Sequence, residues 1–167
     1  MSLKQTITVF ELLDSAYASG ETVMNLFKYF PGVQASYQTV TEEKGSADCI
    51  KIVIPGSNGK SKGGDAPTMG IIGRLGGIGA RPSRTGLVSD GDGAVAAISS
   101  ALKLAQMQGN GDVLPGDVIV TTQIWPNAPT QPDEPVDFMG TPLGRATTNK
   151  YEVSTSMGAM LSSVTTK

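Results

Sequence analysis

Residues 116–125, GDVIVTTQIW, decide how this chain is built. Val118, Ile119 and Val120 are apolar without alternation. A strand open to water on one face alternates apolar and polar side chains, whereas a strand covered on both faces does not. The stretch therefore reads as the central strand of an α/β sheet. Its continuation, PNAPTQPDEP at 126–135, carries four prolines in ten residues and cannot extend that sheet.

The neighbouring elements follow from periodicity. Residues 93–107 form the clearest helix, with Val95, Ile98, Leu102 and Ala105 on its buried face and Gly109 just past its end. MGIIGRL at 69–75 reads as a strand. VQASYQTVT at 33–41 and CIKIVIPG at 49–56 read as a hairpin joined by the turn EEKGSAD. Residues 6–30 read as two helices interrupted at Ser19-Gly20 and stopped by Pro31-Gly32. Residues 56–68 read as a solvated, flexible loop, and TGLVSD at 85–90 as a short strand. NKYEVST at 149–155 has a strand-like pattern, and residues 156–167 are ambiguous. Helix, hairpin, strand, helix, strand is the order of an α/β fold whose mixed sheet is flanked by helices. Residues 1–167 are expected to be a single domain or the N-terminal part of a larger one.

Composition narrows the chemistry. The chain has 167 residues, 39% hydrophobic and 17% charged, enough for a packed core. Its formal net charge of −2 gives no reason to expect nucleic acid or membrane as a partner. No apolar run approaches the ~20 residues of a membrane span, and no signal-peptide core opens the chain. A cytoplasmic location is the default. The single cysteine, Cys49, excludes an internal disulfide and reads as a buried small hydrophobe. Histidine is absent, which removes Ser-His-Asp and Cys-His triads and imidazole metal ligands.

The glycine-rich run GIIGRLGGIGARP at 70–82 must bring backbone close to something. It is no phosphate loop, because no Gly-Lys-Ser/Thr leads into a helix there. Asp90 and Asp92 flank the start of the helix at 93–107, where carboxylates cap helices and meet the positive end of the dipole. The same place, the end of a strand, is where open α/β sheets keep their sites. Asp133, Glu134 and Asp137 lie in the proline-rich loop.

Several strings carry a resemblance. GIIGRLGGIGARP with GLVSDGDGA, and APTQP with PVDFMGTPL, resemble an uncharacterised prokaryotic family, domain of unknown function 1177. More remotely, residues 33–125 resemble the N-terminal half of the co-catalytic zinc aminopeptidases and carboxypeptidases. This resemblance implies a zinc-peptidase-like (phosphorylase/hydrolase-like) topology. In those enzymes a strand ends in H-x-D, an Asp pair opens a helix, and a central strand ends in T-x-Q-E-E. Carried over, the ligand histidine is Arg74, the nearby aspartate is Gly76, the bridging aspartate is Asp90, and the glutamate pair is Ile124 and Trp125. An arginine at a ligand position repels a metal, and one carboxylate cannot hold two zinc ions.

The resemblance thus implies a dismantled metal site, no cofactor, and Arg74 paired with Asp90. The leading reading is a non-catalytic, peptidase-like protein that binds, builds or self-assembles, with a homo-oligomer or filament as its partner state. The alternative is a hydrolase with a relocated divalent-metal site built from Asp90, Asp92, Asp133 and Glu134. A third reading is anion binding by Arg74, Arg81 and Arg84. Because peptidases of this type run longer, the chain is expected to be a fragment, or a half completed by assembly.

Overall fold

The computed structural model describes residues 3–74, 76–82, 84–87, 91–132, 134–135 and 138–164. Two helices open the chain, α1 (Leu3–Asp14) and α2 (Gly20–Asn25). Ser19 caps α2 reciprocally: its Oγ accepts from the Thr22 N–H at 3.3 Å, and its own N–H donates to Thr22 Oγ1 at 3.0 Å. Strands β1 (Gln34–Glu42) and β2 (Gly45–Ile54) form the expected antiparallel hairpin. Strand β3 (Thr68–Arg74), helix α3 (Asp92–Gly109) and strand β4 (Val118–Ile124) follow. Strands β5 (Thr130–Gln131) and β6 (Phe138–Met139) make a separate two-stranded ribbon in the proline-rich segment. Helix α4 (Arg145–Glu152) and strand β7 (Met157–Val164) come last.

Among the described residues the main sheet has the order β1-β2-β4-β3-β7. Strand β4 pairs antiparallel with β2 and parallel with β3, and β7 runs parallel to β3 at the edge. The mixed sheet and the buried centre at Val118–Ile124 are those expected. Alternation sorts the side chains onto two faces. Ile50, Ile52, Ile54, Val118, Val120 and Ile124 face α1, α2 and α3 in the larger core, with Val9, Leu13, Val23 and Ile98. Ala47, Cys49 and Trp125 face the other way, into a smaller core with Ala128, Met139 and Leu143.

The glycine run has a structural purpose at two contacts. A Cβ on Gly73 would stand 2.2 Å from the Gly93 carbonyl oxygen and 2.6 Å from the Ala97 Cβ, so α3 lies directly on β3. Beyond Arg74 the run lies along the continuation of β4. The Trp125 N–H donates to the Gly76 carbonyl at 2.7 Å, and the Ala128 N–H to the Gly79 carbonyl at 3.0 Å. What the glycines bring close is backbone, from a helix on one side and a strand extension on the other.

Some local readings are corrected or completed by the structure. NKYEVST lies partly in α4: its first four residues are the last turn of that helix. Its Tyr151 and Glu152 are held by the small core and by a buried ion pair, which outweigh the strand-like pattern. The ambiguous tail includes β7. Thr85, Gly86 and Leu87 are not a strand, and the rest of that stretch, 88–90, lies outside the described residues.

Residues 56–68 are pinned instead of free. The buried Asp117 carboxylate accepts from the Gly56 N–H at 2.9 Å, the Ser61 N–H at 2.8 Å and Ser61 Oγ at 2.7 Å. Burial alone would raise this carboxyl; the hydrogen bonds from Ser61 and Gly56 outweigh it and hold the pKa below its usual value. A depressed pKa means stability that is present above the unfolded value and is lost as pH falls through the folded one. Asp117→Ala leaves the buried Gly56 N–H without an acceptor and frees the exposed Ser61, and is expected to cost about 2 kcal/mol. Urea unfolding at pH 7 checks this, and a midpoint equal to the wild type would contradict it.

Candidate functional site

Arg74 and Gln123 stand at the carboxyl ends of the parallel strands β3 and β4, or one residue short of them. In open α/β sheets this end carries the site. Here α4 crosses it. Arg74 Nε donates to Glu152 Oε2 at 2.5 Å, and its Nη2 donates to Asn149 Oδ1 at 2.6 Å. Gln123 Nε2 donates to Glu152 Oε1 at 3.3 Å, while Gln123 Oε1 accepts from Trp125 Nε1 at 3.0 Å. Thr121 Oγ1 donates to the Glu152 backbone carbonyl at 2.9 Å. The Glu152 side chain is only 3% exposed, against 27% for Arg74. Burial pushes the Glu152 carboxyl above its usual range, and the charge and hydrogen bond of Arg74 and the bond from Gln123 only partly oppose this.

Beside this network opens a cleft of about 480 Å³. The β1–β2 turn contributes Glu43 and Lys44, the strand ends Arg74 and Gln123, and the start of α4 Arg145 and Thr148. Glu42, also on this wall, is engaged by α4: its carboxylate accepts from the Gly144 N–H at 2.7 Å and from Thr147 Oγ1 at 2.5 Å. The Thr147 bond first, then the Gly144 bond, lowers the Glu42 pKa. Gly144 is the N-cap of α4, and Glu42 accepts from its N–H, one of the donors that a helix start leaves unpaired.

The expected site residues scatter. Arg74 lines the cleft. Arg81 is bound elsewhere, its Nη2 donating to the carbonyls of Ser15 at 3.2 Å and Ala18 at 3.3 Å between α1 and α2. Arg84 is exposed, with its backbone N–H and carbonyl bonded to Ala80. Asp92 is in the first turn of α3, behind Gly91 as N-cap, where its charge meets the helix dipole. Glu134 is exposed between β5 and β6. Asp90, Asp133 and Asp137 lie outside the described residues. The guanidinium of Arg74 is bound by Glu152 and Asn149, partners that sequence reasoning passed over because their segment read as a strand. The available signal was Thr148 and Glu152 at helical i, i+4 spacing.

Cys49 is buried in the smaller core. Burial first, then the charges of Glu152 and Asp48, pushes its thiol up to about 11. Thiolate is the reacting form, so at pH 8 the native protein is expected to react with a disulfide reagent about 100-fold slower than the unfolded chain. Equal rates in buffer and in denaturant would contradict this.

A metal centre needs three or four nitrogen, oxygen or sulfur ligands converging on one point. Among the described residues no group of three or more His, Cys, Asp or Glu side chains gathers in that way. At the strand ends stand a guanidinium and an amide, and the Glu152 carboxylate there is already bound to both. The described residues at this place do not form a metal shell. Among them, also, no helix is long and apolar enough to cross a membrane.

The fold is that of known peptidases. A tomato leucine aminopeptidase mutant superposes with a TM-score of 0.50 at 10% identity, over 74% of this chain and 27% of that one. An M17 aminopeptidase from Trypanosoma brucei superposes with a TM-score of 0.50 at 14% identity, over 81% and 30%. The bottromycin maturation enzyme BotP in complex with Mn gives 0.47 at 14% identity, over 72% and 30%. The chain therefore spans no more than 30% of the length of these enzymes. No curated protein matches the chain in sequence. Residues 38–167, from within β1 to the last residue, match the model of DUF1177, described as a protein of unknown function, and the chain belongs to that family.

Proposed function

We propose that this chain is a non-catalytic protein of peptidase fold, acting by binding and by self-association. One observation carries the reading: the Arg74–Glu152 pair occupies the strand ends, with Gln123 and Asn149 as its further partners. A guanidinium held there has a fixed charge, and the carboxylate beside it is committed to that charge. The network supports a structural or binding role at this end of the sheet in place of hydrolysis, and a cytoplasmic setting goes with it.

Strand β7 supports the second half of the reading. It is the outer strand beside β3, and Met160 and Leu161 are 55% and 57% exposed on its opposite faces. Met157–Val164 contains no charged residue and no proline, the devices that usually blunt an edge. A homo-oligomer or filament that pairs this edge would cover it.

Two measurements test the reading. Elemental analysis of the purified protein should find no stoichiometric metal, and peptide hydrolysis should be absent with or without chelator. Chelator-sensitive hydrolysis together with bound metal would overturn it in favour of a relocated site using Asp90, Asp92, Asp133 and Glu134. Sedimentation velocity at micromolar concentration should show an oligomer that Leu161→Lys dissociates. A clean wild-type monomer would remove self-association.

A further inference from the structure

The cleft beside Arg74 carries charges that the network does not use. Three cationic side chains line it: Lys44 from the β1–β2 turn, Arg74 from β3 and Arg145 from α4. Among the carboxylates near them, Glu152 is bound by Arg74 and Gln123, and Glu42 by the Gly144 N–H and Thr147 Oγ1. Glu42 keeps its charge, since both its donors are neutral, and Glu43 also lines the cleft; among the described residues neither Lys44 nor Arg145 makes an ion pair. Arg74 uses Nε and Nη2 in the network, and among the described residues nothing accepts from its Nη1.

We propose that this cleft binds a small molecule through an oxyanion head group, a carboxylate or a phosphate, held by Lys44, Arg145 and the outer edge of Arg74. A volume of about 480 Å³ suits a small metabolite. Arginines offer the planar forked donors that match carboxylate and phosphate oxygens. Glu152 and Asn149 fix the orientation of Arg74, so little rotamer freedom is lost when a ligand arrives. Gln123 and Thr148 add neutral polar groups to the wall. The site replaces the arginine trio expected from sequence, because Arg81 is committed to the carbonyls of Ser15 and Ala18. It stands whether or not the chain self-associates.

The test is thermal unfolding of the full chain, titrated with inorganic phosphate and separately with citrate, against sodium chloride at equal ionic strength. At least one anion should raise Tm along a saturating curve, by about 3–6 °C at roughly tenfold above half-saturation. Phosphate or citrate acting alone identifies the head group. Lys44→Ala with Arg145→Ala, both exposed positions, should weaken binding more than about 10-fold while leaving the unliganded Tm in place. Glu43→Gln removes one opposing carboxylate and should tighten binding about threefold. The proposal is overturned if neither anion exceeds the chloride control, if the double variant retains the full shift, or if Glu43→Gln weakens binding.

Discussion

Gly76→Ala is expected to be severely destabilising. A Cβ at this position would lie 1.6 Å from the Gln123 carbonyl oxygen, 2.6 Å from its carbonyl carbon and 3.0 Å from the Ile124 Cα. All three are backbone atoms of the central strand, so no rotamer change relieves the overlap. The chain could yield only by moving residues 76–79 away from β4. That would break the Trp125 N–H bond to Gly76 at 2.7 Å and the Ala128 N–H bond to Gly79 at 3.0 Å. Ile124 and Trp125, both buried, would lose their packing as well. Interiors are packed too densely to absorb such a shift, and the cost should exceed about 4 kcal/mol. Against a total stability of about 5–15 kcal/mol, that is a large share, and the variant should melt far below the wild type. Gly109→Ala is the control: at the end of α3 its Cβ meets nothing within 4 Å, and the change should be neutral or stabilising. Circular dichroism melts of the two variants separate the cases, and a wild-type melt for Gly76→Ala would refute the close approach.

Glu152→Ala is expected to cost about 3 kcal/mol, at the lower end of the range for a broken buried pair because Arg74 retains some access to water. It removes the acceptor of Arg74 Nε and of Gln123 Nε2 together, and leaves a void at the end of α4. Denaturant unfolding would show this as a lowered midpoint, and an unchanged midpoint would remove the network from the stability of the fold. Glu152→Gln keeps the shape and removes the titration, so it reports the pH dependence. Burial raises the Glu152 pKa in the folded state. The folded protein therefore holds this proton more tightly than the unfolded chain. The stability from this group is complete below the unfolded pKa and is lost as pH rises through the folded one. The Tm of the wild type minus that of Glu152→Gln should thus fall as pH is raised from the ordinary glutamate pKa upward. A difference that rises with pH would mean that Arg74 overcompensates the burial. Asp117 and Glu42 shift the other way, but they are present in both proteins and cancel in the difference.

Some of the candidate site was legible in the chain and some was not. Arg74 stood out because the peptidase resemblance sets it at the position of a ligand histidine, and it does line the cleft. Glu152, Lys44 and Arg145 did not stand out. Each sits in a polar stretch where charged residues are the ordinary content of a solvated surface, and only Glu152 carries a local mark, its helical spacing from Thr148. Arg74 and Glu152 are 78 positions apart, and Glu42 and Thr147 are 105 apart. Asp117 carries no mark in the sequence, yet it gathers a loop 56 to 61 positions earlier.

Local pattern was sufficient for the α/β class, the β1–β2 hairpin, α3 and the buried β4, because each element repeats its own apolar spacing within a few residues. It also sufficed for the close backbone approach along the glycine run, since only missing side chains permit one. The sheet order, the helical state of residues 145–152, the partner of Arg74 and the cleft were decided in three dimensions. Their energies come from burying and pairing groups that the chain keeps far apart, and sheet formation is what brings those groups within reach.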